Sequence, residues 1–248
     1  MSERNRLRSV LTLVQLNGII PIRTTPLYIL NTLASPLSFL FFIFIVSHGT
    51  LLIYGITGGM VLTTMTVGTS LQSDLTHYRH DLKFQDIVVA SPVEAPTYVI
   101  GMALSELVYS LPSLAVFVLL FVFLGHPTLT NLAVLATVCI LVWAFASALA
   151  FTLATYFQDV RETFLFSPMI SLVLTVLPPV YYPLTALPSW AQVAARLSPT
   201  TYAAGLVQGA CGLAPLSLTG AVVDWAVLLS FTAALFVLAA VKARWKEP

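Results

Sequence analysis

The sequence predicts an all-α membrane protein with six transmembrane helices, on three observations. Of 248 residues 58% are apolar and only 8% are charged, against about 25% charged in a soluble domain. Mean hydropathy is +0.93, which leaves more apolar surface than one soluble core could bury, so lipid or neighbouring helices must cover the rest. Six crossings at about 20 residues each take roughly 120 residues, and the remainder is what short loops and small termini need. The chain is read as one transmembrane domain, 1–248, with three segments off the main spans: a cytoplasmic interfacial helix at 1–25, a cytoplasmic segment at 72–97 and an external re-entrant segment at 184–220.

Apolar runs bounded by polar or turn residues place spans near 27–47, 51–71, 98–124, 131–157, 163–183 and 221–241. The links at 47–50 and 125–131 are short enough to make tight helical hairpins. Charge sets the orientation. One side carries Arg4, Arg6, Arg8, Arg23, Arg79, Lys83, Arg161, Lys242, Arg244 and Lys246, and the other Arg196 alone. By the positive-inside rule both termini are cytoplasmic, in a plasma-membrane protein. Arg4 and Arg8 beside Leu7, Val10, Leu11 and Val14 suggest a helix lying in the interface ahead of the first span; an ordinary basic flank is the alternative. No A-x-A-like cleavage site follows it, so a signal peptide is not expected.

In the second span Gly55, Gly59 and Thr63 fall four apart, a spacing that admits a close helix neighbour, and Thr57, Thr63, Thr64, Thr66, Thr69 and Ser70 make it rich in hydroxyls. Most hydroxyls of this kind bond their own backbone and a few can line a path. In the following segment Leu82, Phe84, Ile87 and Val88 are spaced as on a short helix, which Ser91-Pro92 ends. Glu106 is read as the one carboxylate well inside an apolar run, with Tyr109, Ser110 and Ser113 on its face beside Pro112. An intramembrane acid is a functional candidate by default; reaching water near the cytoplasmic end is the alternative, and both stay open. Beyond the fifth span, Pro188 opens one short helix, exposing Trp190, Val193 and Leu197, and Ser198-Pro199 opens a second reaching to about Ala210. Broken helices at membrane depth need protein or a water-filled cavity around them.

Several chemistries lack their motifs. There is no G-x-x-x-x-G-K-[ST] phosphate loop, no G-x-S-x-G and no H-E-x-x-H. His77 and His80 beside Asp81 have no third ligand nearby, so no metal site is expected. Cys139 and Cys211 are too few and too differently placed for a disulfide framework. A net charge of +1 gives no basic face for nucleic acid.

Two stretches carry a resemblance. Asp81-Leu-Lys-Phe-Gln-Asp-Ile-Val-Val-Ala-Ser-Pro-Val93 is similar to the G-T-x-E-x-L-x-x-S-P coupling helix of the type-2 ABC exporter permeases. Tyr182-Pro-Leu-Thr-Ala-Leu-Pro-Ser-Trp190 with Leu197-Ser-Pro-Thr-Thr-Tyr202 resembles that family's outer P-x-x-x-L-P-x-W … P-x-T-Y region. The layout agrees over nearly the whole chain, with Asp81 and Lys83 where Gly and Thr are common and Gln208 near a usual arginine. The resemblance implies a half-transporter for drugs, lipids or glycans, multidrug efflux included. It would pair with a second six-span copy, identical or not, and work among membrane lipids. Asp81, Leu82, Lys83, Phe84, Gln85 and Asp86, with Arg161, would dock on a separate cytoplasmic ABC ATPase that holds the ATP and Mg, so this chain binds no cofactor and catalyses nothing itself. Thr63, Thr66, Glu106, Tyr109, Ser110, Tyr182, Trp190 and Tyr202 would lie near the path or its gate. A stand-alone ion- or proton-coupled carrier using Glu106 is the competing expectation, and a scaffold or intramembrane enzyme the third.

Overall fold

A computed structural model describes residues 3–25, 27–83, 91, 93–157 and 159–242. Among them all regular structure is helical. Helix α1 (Glu3–Val14) runs through a π turn, Gln15–Ile19, into α2 (Ile20–Thr24). Then come α3 (Leu27–Val46), α4 (Leu52–His80), α5 (Ala95–Gly125), α6 (Leu129–Ala154), α7 (Val160–Val176), a 3-10 turn (Leu184–Ala186), α8 (Ser189–Ala195), α9 (Pro199–Ala210) and α10 (Leu218–Lys242). Five of these, α3, α4, α5, α6 and α10, are long and apolar enough to cross a membrane. The expected span at 163–183 falls on α7, whose 17 residues end at Val176, and Pro178 and Pro179 follow at once. A proline lacks the N–H that would continue the helix.

Turn chemistry explains the hairpins. His48 and Gly49 take positive φ between α3 and α4, Gly49 at a value that favours glycine. Thr128 and Asn131 form a capping box at the start of α6, satisfying donors the first turn leaves open.

α4 is the centre of the bundle. It packs on α3, α5, α6 and α7, and 83% of its most apolar stretch is buried, against 11% for the corresponding stretches of α3 and α10. Its glycines make this possible. A Cβ on Gly59 would come within 2.3 Å of the Phe117 ring, and one on Gly68 within 2.4 Å of the Ala146 Cβ, so both helices approach where only a hydrogen fits. α4 also runs further than its apolar run suggested: residues 72–80, expected to open a cytoplasmic segment, are its last turns.

Polarity is inverted in α7. Thr163, Ser167, Ser171 and Thr175, four apart, are buried, while Leu165, Met169, Leu172 and Val173 are exposed. Ser167 Oγ donates to the Thr69 carbonyl at 2.6 Å, and Ser171 and Thr66 join hydroxyls at 2.8 Å. In hydrocarbon this arrangement is sensible, because hydroxyls are worth pairing with another helix and large apolar side chains are not.

The amphipathic N-terminal helix is anchored on α5. Leu13 is buried against Gly101, Ser105 Oγ donates to the Leu13 carbonyl at 3.1 Å beside the π turn, and Tyr78 Oη donates to Asn17 Oδ1 at 2.8 Å. Arg6 closes the contact on Glu94 Oε1 at 2.8 Å. The Arg6 hydrogen bond holds the Glu94 carboxyl below its usual range. Its contribution is therefore fully present above the ordinary carboxylate range and is lost as pH falls through the lowered value. Hydrogen exchange over residues 3–14 is expected to rise on such acidification, and Glu94→Gln to raise it at neutral pH and flatten the pH profile. An unchanged profile in Glu94→Gln would show that the pair does not hold the helix.

Candidate functional site

The one face of α4 that is not buried is polar. From Tyr54 to Thr76 every residue of the helix is buried except Thr66, Ser70 and Asp74, and His77 continues the same stripe. Spacings of four, four and three keep these side chains on one face, and Asp81, one turn on, extends it. α5 and α7 flank the stripe and bond to it. Ser70 Oγ donates to Glu106 Oε2 at 2.9 Å, and Asp74 shares a side-chain hydrogen bond with Glu106. Thr66 is tied to Ser171, and His77 Nδ1 lies 2.7 Å from Asp81 Oδ2. The result is a groove with a polar floor, closed at the back by the rest of the bundle and open in front.

Asp74 is the residue that sequence reasoning missed. It was placed in a cytoplasmic segment, whereas α4 carries it inside the helix onto Glu106, so Glu106 is one of two paired acids and not a lone one. The spacing of Ser70, Asp74, His77 and Asp81 was the available signal. Glu106 is buried, 7% exposed, and faces the groove residues of α4 and not lipid.

The other expected site residues divide. Thr66 is on the stripe; Thr63 is buried and bonds the Gly59 carbonyl at 2.8 Å, outside it. Ser110 is buried and bonds the Leu107 carbonyl, and Tyr109 is half-buried on the same helix. Asp81, Leu82 and Lys83 are exposed at the end of α4, and Arg161 is exposed at the start of α7. Phe84, Gln85 and Asp86 lie outside the described residues. Among the described residues no group of His, Cys, Asp and Glu is arranged to hold a metal ion.

The chain after α7 folds back so that α9 packs on α4, α6 and α10. The helices expected from Pro188 and from Pro199 are α8 and α9. Trp190 is exposed on α8, Tyr182 Oη donates to the Leu177 carbonyl at 3.0 Å and Tyr202 Oη to the Arg196 carbonyl at 2.8 Å. Ser198 holds the expected N-cap position of α9 without capping it, its hydroxyl pairing with Thr200 instead. Gln208, buried on α9, supplies the polar partner that sequence left unidentified. Its Nε2 lies 3.0 Å from the Pro179 carbonyl, 3.4 Å from Val180 and 3.3 Å from Tyr182. These are carbonyls that the broken helix would otherwise leave unpaired at membrane depth.

A family model described as ABC-2 type transporter matches residues 9–211. The chain belongs to that family. A comparison with curated proteins returns no match. As a member, the chain is a permease subunit of an ABC transporter, a membrane component and not itself the catalyst. The match to this ABC-2 permease runs from α1 through the end of α9, so it takes in the stripe on α4, its partner Glu106 and the Gln208 cluster, and leaves out α10.

Proposed function

We propose that this permease is the membrane half of an exporter, moving an amphipathic or lipid-like compound of the drug, lipid or glycan class out across the plasma membrane, with both termini cytoplasmic. The observation that carries the reading is the polar stripe on an otherwise buried α4. A half-exposed row of hydroxyls, acids and an imidazole on a membrane helix has no stable place against lipid, but suits a path completed by a second six-span copy whose groove faces the first. The exposed apolar row on α7, beside the stripe, would seal that contact.

Force would enter through residues 81–90, docked on a separate cytoplasmic ATPase that holds ATP and Mg. α4 runs without interruption from the stripe to His80, so movement at its end tilts the path wall as one rigid element. Nucleotide then biases an inward-open to outward-open equilibrium by contacting one state better than the other.

Co-expression with a cytoplasmic ABC ATPase of the same cell is expected to yield a complex that purifies together, with Phe84→Asp and Asp86→Arg each reducing recovery of the ATPase at least severalfold without changing the yield of permease. A permease that never retains an ATPase would overturn the reading. The Asp74–Glu106 pair favours one competitor, a stand-alone proton-coupled carrier, since a hydrogen bond between two carboxyls contains a proton. Transport in vesicles without ATPase, abolished by Glu106→Gln, would establish it instead.

A further inference from the structure

The face of α1 turned away from α5 is uncovered. Arg6 meets Glu94, Leu13 meets Gly101 and Gly18 meets Ser105, so α1 and the π turn lie side by side with the first turns of α5. Arg4, Leu7, Arg8 and Leu11 point the other way. Successive steps of three and four residues from Arg4 to Leu11 put them on one helical face, and all four are exposed, the two leucines at 62% and 57%. Leu16, Ile19 and Ile20 carry exposed apolar surface on towards the first span.

Charge on this face is uncompensated. Arg6 is neutralised by Glu94, whereas Arg4 and Arg8 have no acidic partner among the described residues, and between Glu3 and Asp74 the sequence contains no Asp or Glu. Such a face is wrong for water, which leaves the leucines unburied, and wrong for hydrocarbon, which leaves the guanidinium groups unsolvated. It fits the boundary between headgroups and acyl chains where the headgroups are negative. There leucines enter the chains, and guanidinium groups take phosphate oxygens in paired hydrogen bonds. We propose that this face of α1 is a binding surface for anionic phospholipid in the leaflet beside the N-terminus, with Arg4 and Arg8 on the headgroup phosphates and Leu7 and Leu11 among the nearest acyl carbons. An ordinary interfacial helix would accept any lipid; this one selects by charge, whatever the permease transports. The effect reaches the groove. α1 accepts a hydrogen bond at the Leu13 carbonyl from Ser105, the neighbour of Glu106, and Asn17 in the π turn accepts one from Tyr78 near the end of α4. A lipid that fixes α1 therefore steadies the two helices that carry the Asp74–Glu106 pair.

Hydrogen exchange over residues 4–14 reads the site directly. The full chain, delipidated in a neutral detergent, is titrated with phosphatidylglycerol, with phosphatidylcholine and with glycerol phosphate. Saturable protection is expected from phosphatidylglycerol alone. An arginine near an anionic surface is worth roughly fivefold in affinity, so Arg4→Gln combined with Arg8→Gln should raise the half-saturating concentration about twentyfold, at little cost to the helix because glutamine forms helix nearly as well as arginine. Leu7→Ser combined with Leu11→Ser should weaken binding severalfold, and Arg196→Gln, at an exposed cation far along the chain, should leave it unchanged. Equal protection by phosphatidylcholine would overturn the proposal by removing the selectivity. Protection by glycerol phosphate would overturn it by making the site one for free phosphate, and equal weakening by Arg196→Gln by reducing the effect to overall charge. Absence of protection from all three would overturn it as well, and leave the face to a protein partner.

Discussion

Gly68→Val is expected to prevent α4 and α6 from packing and to remove most folded permease from the membrane. The space beside Gly68 is bounded by the Ala146 Cβ at 2.4 Å, the Trp143 carbonyl oxygen at 3.0 Å and the Ser147 amide nitrogen at 3.2 Å from where a Cβ would stand. None of these is the far end of a flexible side chain, so the helices themselves have to move. Overpacking of a close-packed contact costs about 1–3 kcal/mol, and occasionally more; this one lies on the helix against which α3, α5, α6 and α7 all pack, so the upper end is expected. A double substitution isolates the cause. Gly68→Ala alone should lower the thermal unfolding midpoint in detergent, and adding Ala146→Gly should restore part of the loss by removing the nearest clash, leaving the share owed to the two backbone atoms. Independent, additive effects would show that the two positions do not meet.

The second large effect is expected at Gln208. Gln208→Leu keeps bulk and removes the amide that faces the carbonyls of Pro179, Val180 and Tyr182, at a cost of about 1–3 kcal/mol for acceptors left unpaired. Gln208→Glu should be worse at neutral pH, because it directs an acceptor at three acceptors. The expected order of thermal stability is therefore wild type, leucine, glutamate, and acidification should rescue only the glutamate variant, since protonation returns one donor. Equal stability of leucine and wild type would mean that the break after α7 is held by packing alone. The Tyr181 ring, stacked on Phe39 at 5.7 Å and in the space a Cβ on Gly58 would occupy, is the packing that would then suffice.

Hydropathy made the membrane class, the hairpins and the two short helices from Pro188 and Pro199 legible before any coordinates, because lipid imposes long apolar runs and turns need particular residues. It misjudged two elements for one reason. Most of α4 past Leu71 and the hydroxyl face of α7 are covered by protein, and a helix face covered by protein need not be apolar. Asp74 thus read as a loop residue although it is a turn beyond Ser70 on an unbroken helix. α7 read as a span running on to 183 although its hydroxyls face α4 and its helix stops at Val176. Glu106 was legible because its own helix is otherwise apolar; its partner was legible only in the spacing of Ser70, Asp74 and His77. Gln208 had no local signal, since its acceptors lie 26 to 29 residues earlier.

The protein cover on α4 also dictates an order of assembly. The most apolar stretch of α4 has a mean hydropathy of 1.2, where those of α3 and α5 on either side reach 2.1 and 2.5. As α4 emerges during synthesis it has little reason to partition into lipid alone, and the helices that will wall it, α6 and α7, are not yet made. It is carried in by its neighbours, held to α3 by the tight turn at His48 and Gly49, and waits with its hydroxyls and Asp74 uncovered until the later helices arrive. Nascent chains cut before α7 should for that reason be the ones a membrane quality-control protease recognises, while chains cut after α9 should survive it.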